Sequence, residues 1–277
     1  MAMNSVNTNV GAMVALQNLG VTTRQLSVAQ NRINTGLKIA GPEDNGAIWA
    51  IAQNQRADIG ALDSVKDSIQ RVQSVVDVAI SAGETVSDLL NQMKAKALAA
   101  TDASLDTAAR TALNSDYTAL RDQIKKTINS ASFSGSNMLK TGATAVYALA
   151  DATGTSKLTV AAQVMGLGAG GAVTVTATSS FSTAATASTA LGLVNASITN
   201  VNAAIAKLGT GSKALQTHLD FTSKLQDTMV AGVGNLVDAD VAKESATLQA
   251  LQTKQQLGVQ ALSIANSSSS ILLSLFR

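Results

Sequence analysis

The sequence predicts a mainly α fold: a long antiparallel coiled-coil and bundle hairpin formed by both termini, with a small β-rich insert at its tip. Three observations predict it. Apolar residues recur at three-four spacing through most of the first 130 residues and again from Val194 to the end. The chain of 277 residues contains one proline, Pro42, so little stands in the way of very long helices. Aromatic residues make up only 3% of the chain, which argues against one large globular core and leaves Ala, Val, Leu and Ile to fill close helix contacts.

The first helix carries Leu16, Leu19, Leu26, Ile33 and Leu37 along one face, with Thr23 and Gln30 between them. Gly36, Gly41 and Pro42 interrupt it, and Glu43 and Asp44 are suited to cap a new helix. That second helix holds an unbroken register through Leu62, Val65, Ile69, Val72, Val76, Ala79, Gly83, Val86, Leu90 and Met93. As one helix, residues 46–100 span roughly 80 Å at 1.5 Å per residue, a rod that must lie against other rods. A turn at 102–106 leads to a third helix with Leu113, Tyr117, Leu120 and Ile124 on one side. From Phe133 to Ala190 the period falls to two, and 157–160 and 172–176 read as short strands. Helical spacing returns at Val194, Ile198, Val201, Ile205, Leu208, Leu215 and Leu219. After Gly232 and Gly234, Asp238 or Asp240 caps a last helix bearing Val241, Leu248, Leu251, Leu257, Ala261, Ile264, Ile271 and Leu275.

The two ends are unusual in their faces. Residues 1–37 carry only Arg24 and Arg32, and residues 245–277 only Lys254 and Arg277. A helix on the surface of a monomer normally turns a charged face to water. These ends offer Asn, Gln, Ser, Thr and Ala, which are buried against a neighbour at low cost. They therefore read as surfaces to be covered by other copies of the chain, disordered in isolation and folding on incorporation.

Catalytic and ligand-binding chemistry finds little support. Gly166, Gly168 and Gly171 spell GxGxxG, but a strand-like segment comes next where a dinucleotide site needs a helix. His218, the sole histidine, sits between Leu215 and Leu219 in an apolar register and has no cysteine to share a zinc ion with, so it reads as a helix-surface residue. The aspartates at 102–106 and 238–240 lack the glycine and distal glutamate of a calcium loop and read as caps. The insert 141–190 holds two charged residues, Asp151 and Lys157, too few for an active site. Neither a catalytic, a cofactor nor a metal site is expected. The net charge of +2 is dispersed, with no basic run for nucleic acid. Neither a cleaved leader nor a membrane span is expected, since the first cation is Arg24 and the run 271–273 is far too short.

Two stretches carry a resemblance. Residues 30–52 read QNRINTGLKIAGPEDNGAIWAIA; residues 235–265 read NLVDADVAKESATLQALQTKQQLGVQALSIA, and the chain closes on LLSLFR. These resemble the N- and C-terminal regions of bacterial flagellin, especially the alphaproteobacterial type, across about residues 1–140 and 190–277. The resemblance implies a self-assembling structural subunit of the helical flagellar filament, secreted through the flagellar type III apparatus and located outside the cell. Residues 1–44 and 233–277 would then form the coiled-coil inner-tube domain, with connectors near 38–44 and 233–237. Residues 45–140 and 190–232 would form the helical outer-tube rod, and 141–189 the variable surface insert. Implied partners are other copies of the chain, an export chaperone, and the cap and hook–filament junction proteins. The residues expected to pack the inner tube are Leu16, Leu19, Leu26, Ile33, Leu248, Leu251, Leu257, Leu262, Ile264, Ile271, Leu272 and Leu275. Many flagellins carry an arginine-rich stretch on the long outer helix that an animal innate immune receptor recognises; here Gln92 stands where an arginine is expected and Ala95 where a glutamate is expected. A hook–filament junction protein shares these terminal features and is the alternative. A coiled-coil adhesin or phage fibre would lack the C-terminal wording.

Overall fold

A computed structural model describes residues 8–274, with side chains as far as residue 267. The elements run in the order α1 (Val10–Thr35), α2 (Pro42–Ala99), α3 (Thr107–Ser130), β1 (Val146–Leu149), β2 (Lys157–Val160), α4 (Ala184–Val237) and α5 (Val241–Ser274). They divide into two compact units, residues 1–57 with 228–277 and residues 58–227.

Within 58–227 the register read along α2 is the register that is buried. Leu62, Val65, Ile69, Val72, Val76, Ala79, Val86, Leu90 and Met93 form a continuous stripe, met by Tyr117, Ile124 and Ile128 of α3 and by Val194, Val201, Leu208 and Leu215 of α4. The stripe works because a three-four spacing keeps one side of each helix in contact with its neighbours for many turns. Tyr117 is the large plug of this aliphatic core. Its ring meets Phe181 edge-on at 5.1 Å, and its hydroxyl lies 3.2 Å from Ser179 Oγ, so the buried polar tip is satisfied. In the 100–106 turn, Asp102 accepts hydrogen bonds from Ser104 Oγ and Ser104 N at 2.7 and 2.8 Å, which hold its carboxyl below the usual carboxylate range. Asp106 caps α3 by accepting from Ala109 N at 2.6 Å. Asp106 thus has the capping role read from the sequence, whereas Asp102 closes the turn and caps no helix.

The insert departs from expectation in two ways. First, the antiparallel hairpin pairs Val146 with Val160 through to Leu149 with Lys157, so 157–160 is a strand, its partner is 146–149, and 172–176 is not a strand. The alternation at 172–176 has another cause. Val173 and Val175 are buried in the flank of the bundle, while the amide of Thr174 donates to Ser197 Oγ of α4 at 2.9 Å. A helix side chain replaces the partner strand. Second, the insert runs along the side of the bundle. Leu149 N donates to Ser68 Oγ at 3.1 Å, His218 Nε2 donates to the Ala150 carbonyl at 2.9 Å, and Val160 packs on Gly211. His218 is therefore a half-buried tie between α4 and the hairpin. The glycine motif is a tight loop, with Gly168 and Gly170 at φ +88° and +89° and Gly168 N donating to Val173 O at 2.8 Å. A Cβ on Gly171 would strike the Gly166 carbonyl, and the loop opens no helix.

In the other unit, α1 and α5 lie antiparallel. Asn9 Nδ2 donates to the Ala265 carbonyl at 2.7 Å, Leu19 packs on Gly258, and Arg32 pairs with Glu244 at 3.0 Å. The chain segments joining these helices to α2 and α4 are stitched together. Lys38 N and Ile39 N donate to the Val237 carbonyl at 2.7 and 3.2 Å, and Ala239 N donates to Gly36 O at 2.9 Å. α4 runs through Gly232 and Gly234, where the sequence suggested a break, because Val233 and Val237 are buried one turn apart. That packing outweighs a propensity cost of about 1 kcal/mol per glycine. Asp240 caps α5, accepting from Ala242 N and Lys243 N, both at 3.1 Å. The long helix is capped by neither Glu43 nor Asp44. Asn45 stands in an extended conformation (φ −164°, ψ 100°), and its Oδ1 accepts from Ile48 N at 3.1 Å, while Asp44 ties back to Ala40 N at 2.9 Å.

Candidate self-association surface

The helices α1 and α5 position the residues that the sequence singles out for intermolecular packing, and they sort those residues into two groups. One group forms the seam between the two helices. On α1 the shielded positions are Ala15, Leu19, Thr22, Leu26, Ala29 and Ile33; on α5 they are Leu248, Leu251, Gln255, Gly258, Leu262 and Ala265. Each set repeats every three or four residues, as two rods laid side by side require. The intervening positions read from the sequence, Thr23 and Gln30, are exposed, and Thr22 and Ala29 take their place. Thr22 tolerates burial because its hydroxyl donates to the Asn18 carbonyl at 2.9 Å. Gly258 is the hole that admits Leu19.

The second group points away. Leu16, Leu257 and Ile264 are 60%, 59% and 70% exposed. Leu257 and Ile264 stand seven residues apart, about 130° round α5 from the seam by helix geometry. On α1, Val10, Val14, Val21 and Val28 are all exposed and fall on a stripe about 120° from the seam. This valine stripe lies off the predicted seam, and its signal in the sequence is the seven-residue recurrence of Val14, Val21 and Val28. The remaining side of α5 is uncharged and polar: Gln249, Gln252, Thr253, Gln256, Gln260 and Ser263, all exposed. Between the helices, a groove of about 420 Å³ is floored by small residues, among them Gly11, Ala15, Gly258, Ala261 and Ala265.

Of the twelve positions expected to pack between subunits, Leu19, Leu26, Ile33, Leu248, Leu251 and Leu262 therefore face the chain's own partner helix, and Leu16, Leu257 and Ile264 face outward. Ile271 and Leu272 lie on α5 with side chains outside the described residues, as does Leu275 entirely. Each outward Leu or Ile exposes aliphatic area whose burial contributes roughly 1.5–3 kcal/mol. Arg24 is the single charged residue of α1 before Arg32, and Lys254 the single one of α5 between Glu244 and residue 267, so water gains little from these faces. The arrangement can hold apolar partners of helical shape. Among the described residues no three His, Asp or Glu side chains gather as a metal site, and no helix is long and apolar enough to cross a membrane.

Comparison with known proteins points to one family. Residues 6–141 match the family model of the bacterial flagellin N-terminal helical region, and residues 191–276 that of the bacterial flagellin C-terminal helical region. The chain is 56% identical over 277 residues, all of both chains, to flagellin FljM of Caulobacter vibrioides. It is 37% identical over 283 residues to a flagellin of Brucella melitensis, covering 99% of this chain and 100% of that one. The solved structure of a putative flagellar hook-associated protein from Vibrio parahaemolyticus superposes with a TM-score of 0.58 over 70% of this chain and 100% of that one. At 13% identity that is a likeness of fold alone.

Proposed function

Because this chain belongs to the bacterial flagellin family, a structural subunit that self-assembles into the flagellar filament, we propose that its terminal helices form the inner tube of that filament and that residues 58–227 form the outer tube. The observation that carries the reading is the second, outward aliphatic stripe on each terminal helix. A helix pair in a monomer needs one seam; a pair surrounded by copies of itself needs more. Neighbours in a helical array meet through unlike patches, which leaves the assembly open-ended and able to grow. Valines on α1 and Leu257 with Ile264 on α5 are two unlike patches of this kind. The uncharged polar side of α5 suits a wetted inner surface. We further propose that subunits leave the cell through the flagellar type III apparatus, escorted by an export chaperone, and meet the cap and hook–filament junction proteins at the filament ends.

Seeded growth tests this. Purified subunits are added to short filament fragments and tracked by electron microscopy. Wild type elongates, whereas the double variant Leu257→Asp, Ile264→Asp does not, with unchanged helix content by circular dichroism. Growth of the double variant at the wild-type rate overturns the inner-tube assignment. Failure of wild type itself to elongate on its own seeds selects the hook–filament junction reading instead.

A further inference from the structure

Asn45–Gly46 is the only asparagine–glycine pair in the chain. We propose that it is a self-modification site, where the Asn45 side-chain amide is lost as ammonia and the backbone is converted to a mixture of α-linked and β-linked aspartyl residues. The reaction is internal and needs only water. The Gly46 amide nitrogen, having given its proton to solvent, attacks Asn45 Cγ and forms the new C–N bond of a five-membered succinimide. The Cγ–Nδ2 bond breaks, and ammonia leaves with a proton from solvent. Water then opens the ring at either carbonyl, one opening giving the α-linked product and the other the β-linked product. No electrons are transferred.

Four features of the structure favour the reaction here. Asn45 and Gly46 are both exposed, so water reaches the ring. An added Cβ on Gly46 would have no atom within 4 Å, so neither a side chain nor a neighbour obstructs closure. Asn45 breaks the helical run with φ −164° and ψ 100°, so the attacking Gly46 N–H stands at the start of the helix that follows, among the first N–H groups, which have no partner within the helix. Finally, Ile48 N donates to the Asn45 side-chain oxygen at 3.1 Å. That donor, at the positive end of a long helix, stabilises both the oxyanion that develops on Cγ and the deprotonated Gly46 amide. Glu43 and Asp44 place opposing negative charge beside the site.

The products differ in consequence. The α-linked product keeps a carboxylate at the cap. The β-linked product carries the main chain through the former side chain, adds a methylene to the backbone and removes the cap from the head of α2. Purified full-length protein is incubated in mildly alkaline buffer and digested with trypsin, and the peptide of residues 39–56 is measured by mass spectrometry alongside the other asparagine-containing peptides. β-linked product is scored with an isoaspartyl methyltransferase. Asn45 is expected to react before every other asparagine. Gly46→Ala, which places a methyl group in open space, is expected to slow it roughly tenfold, equivalent to about 1.36 kcal/mol on the barrier, with helix content unchanged. Earlier reaction at any other asparagine overturns the proposal, as does a Gly46→Ala rate equal to wild type.

Discussion

Two glycines two positions apart on α4 make opposite demands. Gly209 has open space where a Cβ would go, whereas a Cβ on Gly211 would sit 2.7 Å from Val160 Cγ1. Val160 is buried and β-branched, so it cannot turn aside. Gly209→Ala is expected to raise stability by about 0.5–1 kcal/mol through helix propensity alone. Gly211→Ala regains the same increment but overpacks the hairpin contact by about 1–3 kcal/mol, for a net loss. Urea unfolding of the two variants checks the sign of each; two shifts in the same direction would remove the hairpin contact as the cause. Residue identity also decides recognition from outside. Gln92 and Ala95 are both exposed on α2, and an amide or a methyl does not replace a guanidinium or a carboxylate. Purified subunits are expected to evoke little response in a reporter cell carrying the animal flagellin receptor, and Gln92→Arg with Ala95→Glu is expected to increase it. At this scale the sequence was legible where one side chain meets its own backbone, as at Asp106 and Asp240. It misled at Asn45, where three polar residues in a row all had capping chemistry and only the geometry chose among them.

At the scale of elements, the ladder joining α2 to α4 is polar at its edge. Asp63 accepts from Gln226 Nε2 at 2.9 Å and pairs with Lys66 at 2.9 Å, while Lys66 donates to Gln226 Oε1 at 2.6 Å. The hydrogen bonds from Gln226 and Lys66 hold the Asp63 carboxyl below its ordinary value. A depressed carboxyl stabilises the fold above the ordinary carboxylate range and loses that contribution as pH falls through the lowered value. Thermal melts are therefore expected to show wild type above Asp63→Asn at neutral pH, with the difference closing in acid; a constant gap would mean the carboxylate's charge is not involved. Most of the element order was legible, because one stripe of Leu, Val and Ile along α2 is a long signal. The strand at 146–149 was not, since Val-Tyr-Ala-Leu is too short to show alternation, and 172–176 alternated for burial against a helix. The seam of α1 was read one position out because Thr22 and Ala29, which fill it, are the least conspicuous residues on the helix.

For the whole molecule, burial is unequal between the units. The bundle of 58–227 contains most of the fully buried aliphatic side chains, whereas α1 buries only Thr22 and Ala29, and no described side chain of α5 is fully buried. Opening free energy tracks such contacts. Amide exchange in dilute subunits is expected to be fast over 241–267 and slow along the middle of α2, and assembly into filaments is expected to slow the former markedly. Firm protection of α5 in the lone subunit would leave no role for neighbouring copies in ordering it. Removal of residues 248–277 is expected to abolish elongation and leave the 58–227 bundle folded. Gln226 matters at this scale too, because its amide donates to the Ile59 carbonyl at 3.2 Å. It fastens together the two points at which the chain leaves the bundle, although nearly the whole middle of the sequence separates them. Once the bundle exists, the tails start from a shared root, and their meeting no longer bears the closure entropy of that long intervening loop, a penalty that grows as ~(3/2)RT ln n. Pairing is therefore expected to begin where α1 ends at Thr35 and α5 begins at Val241, and to run from there along both helices.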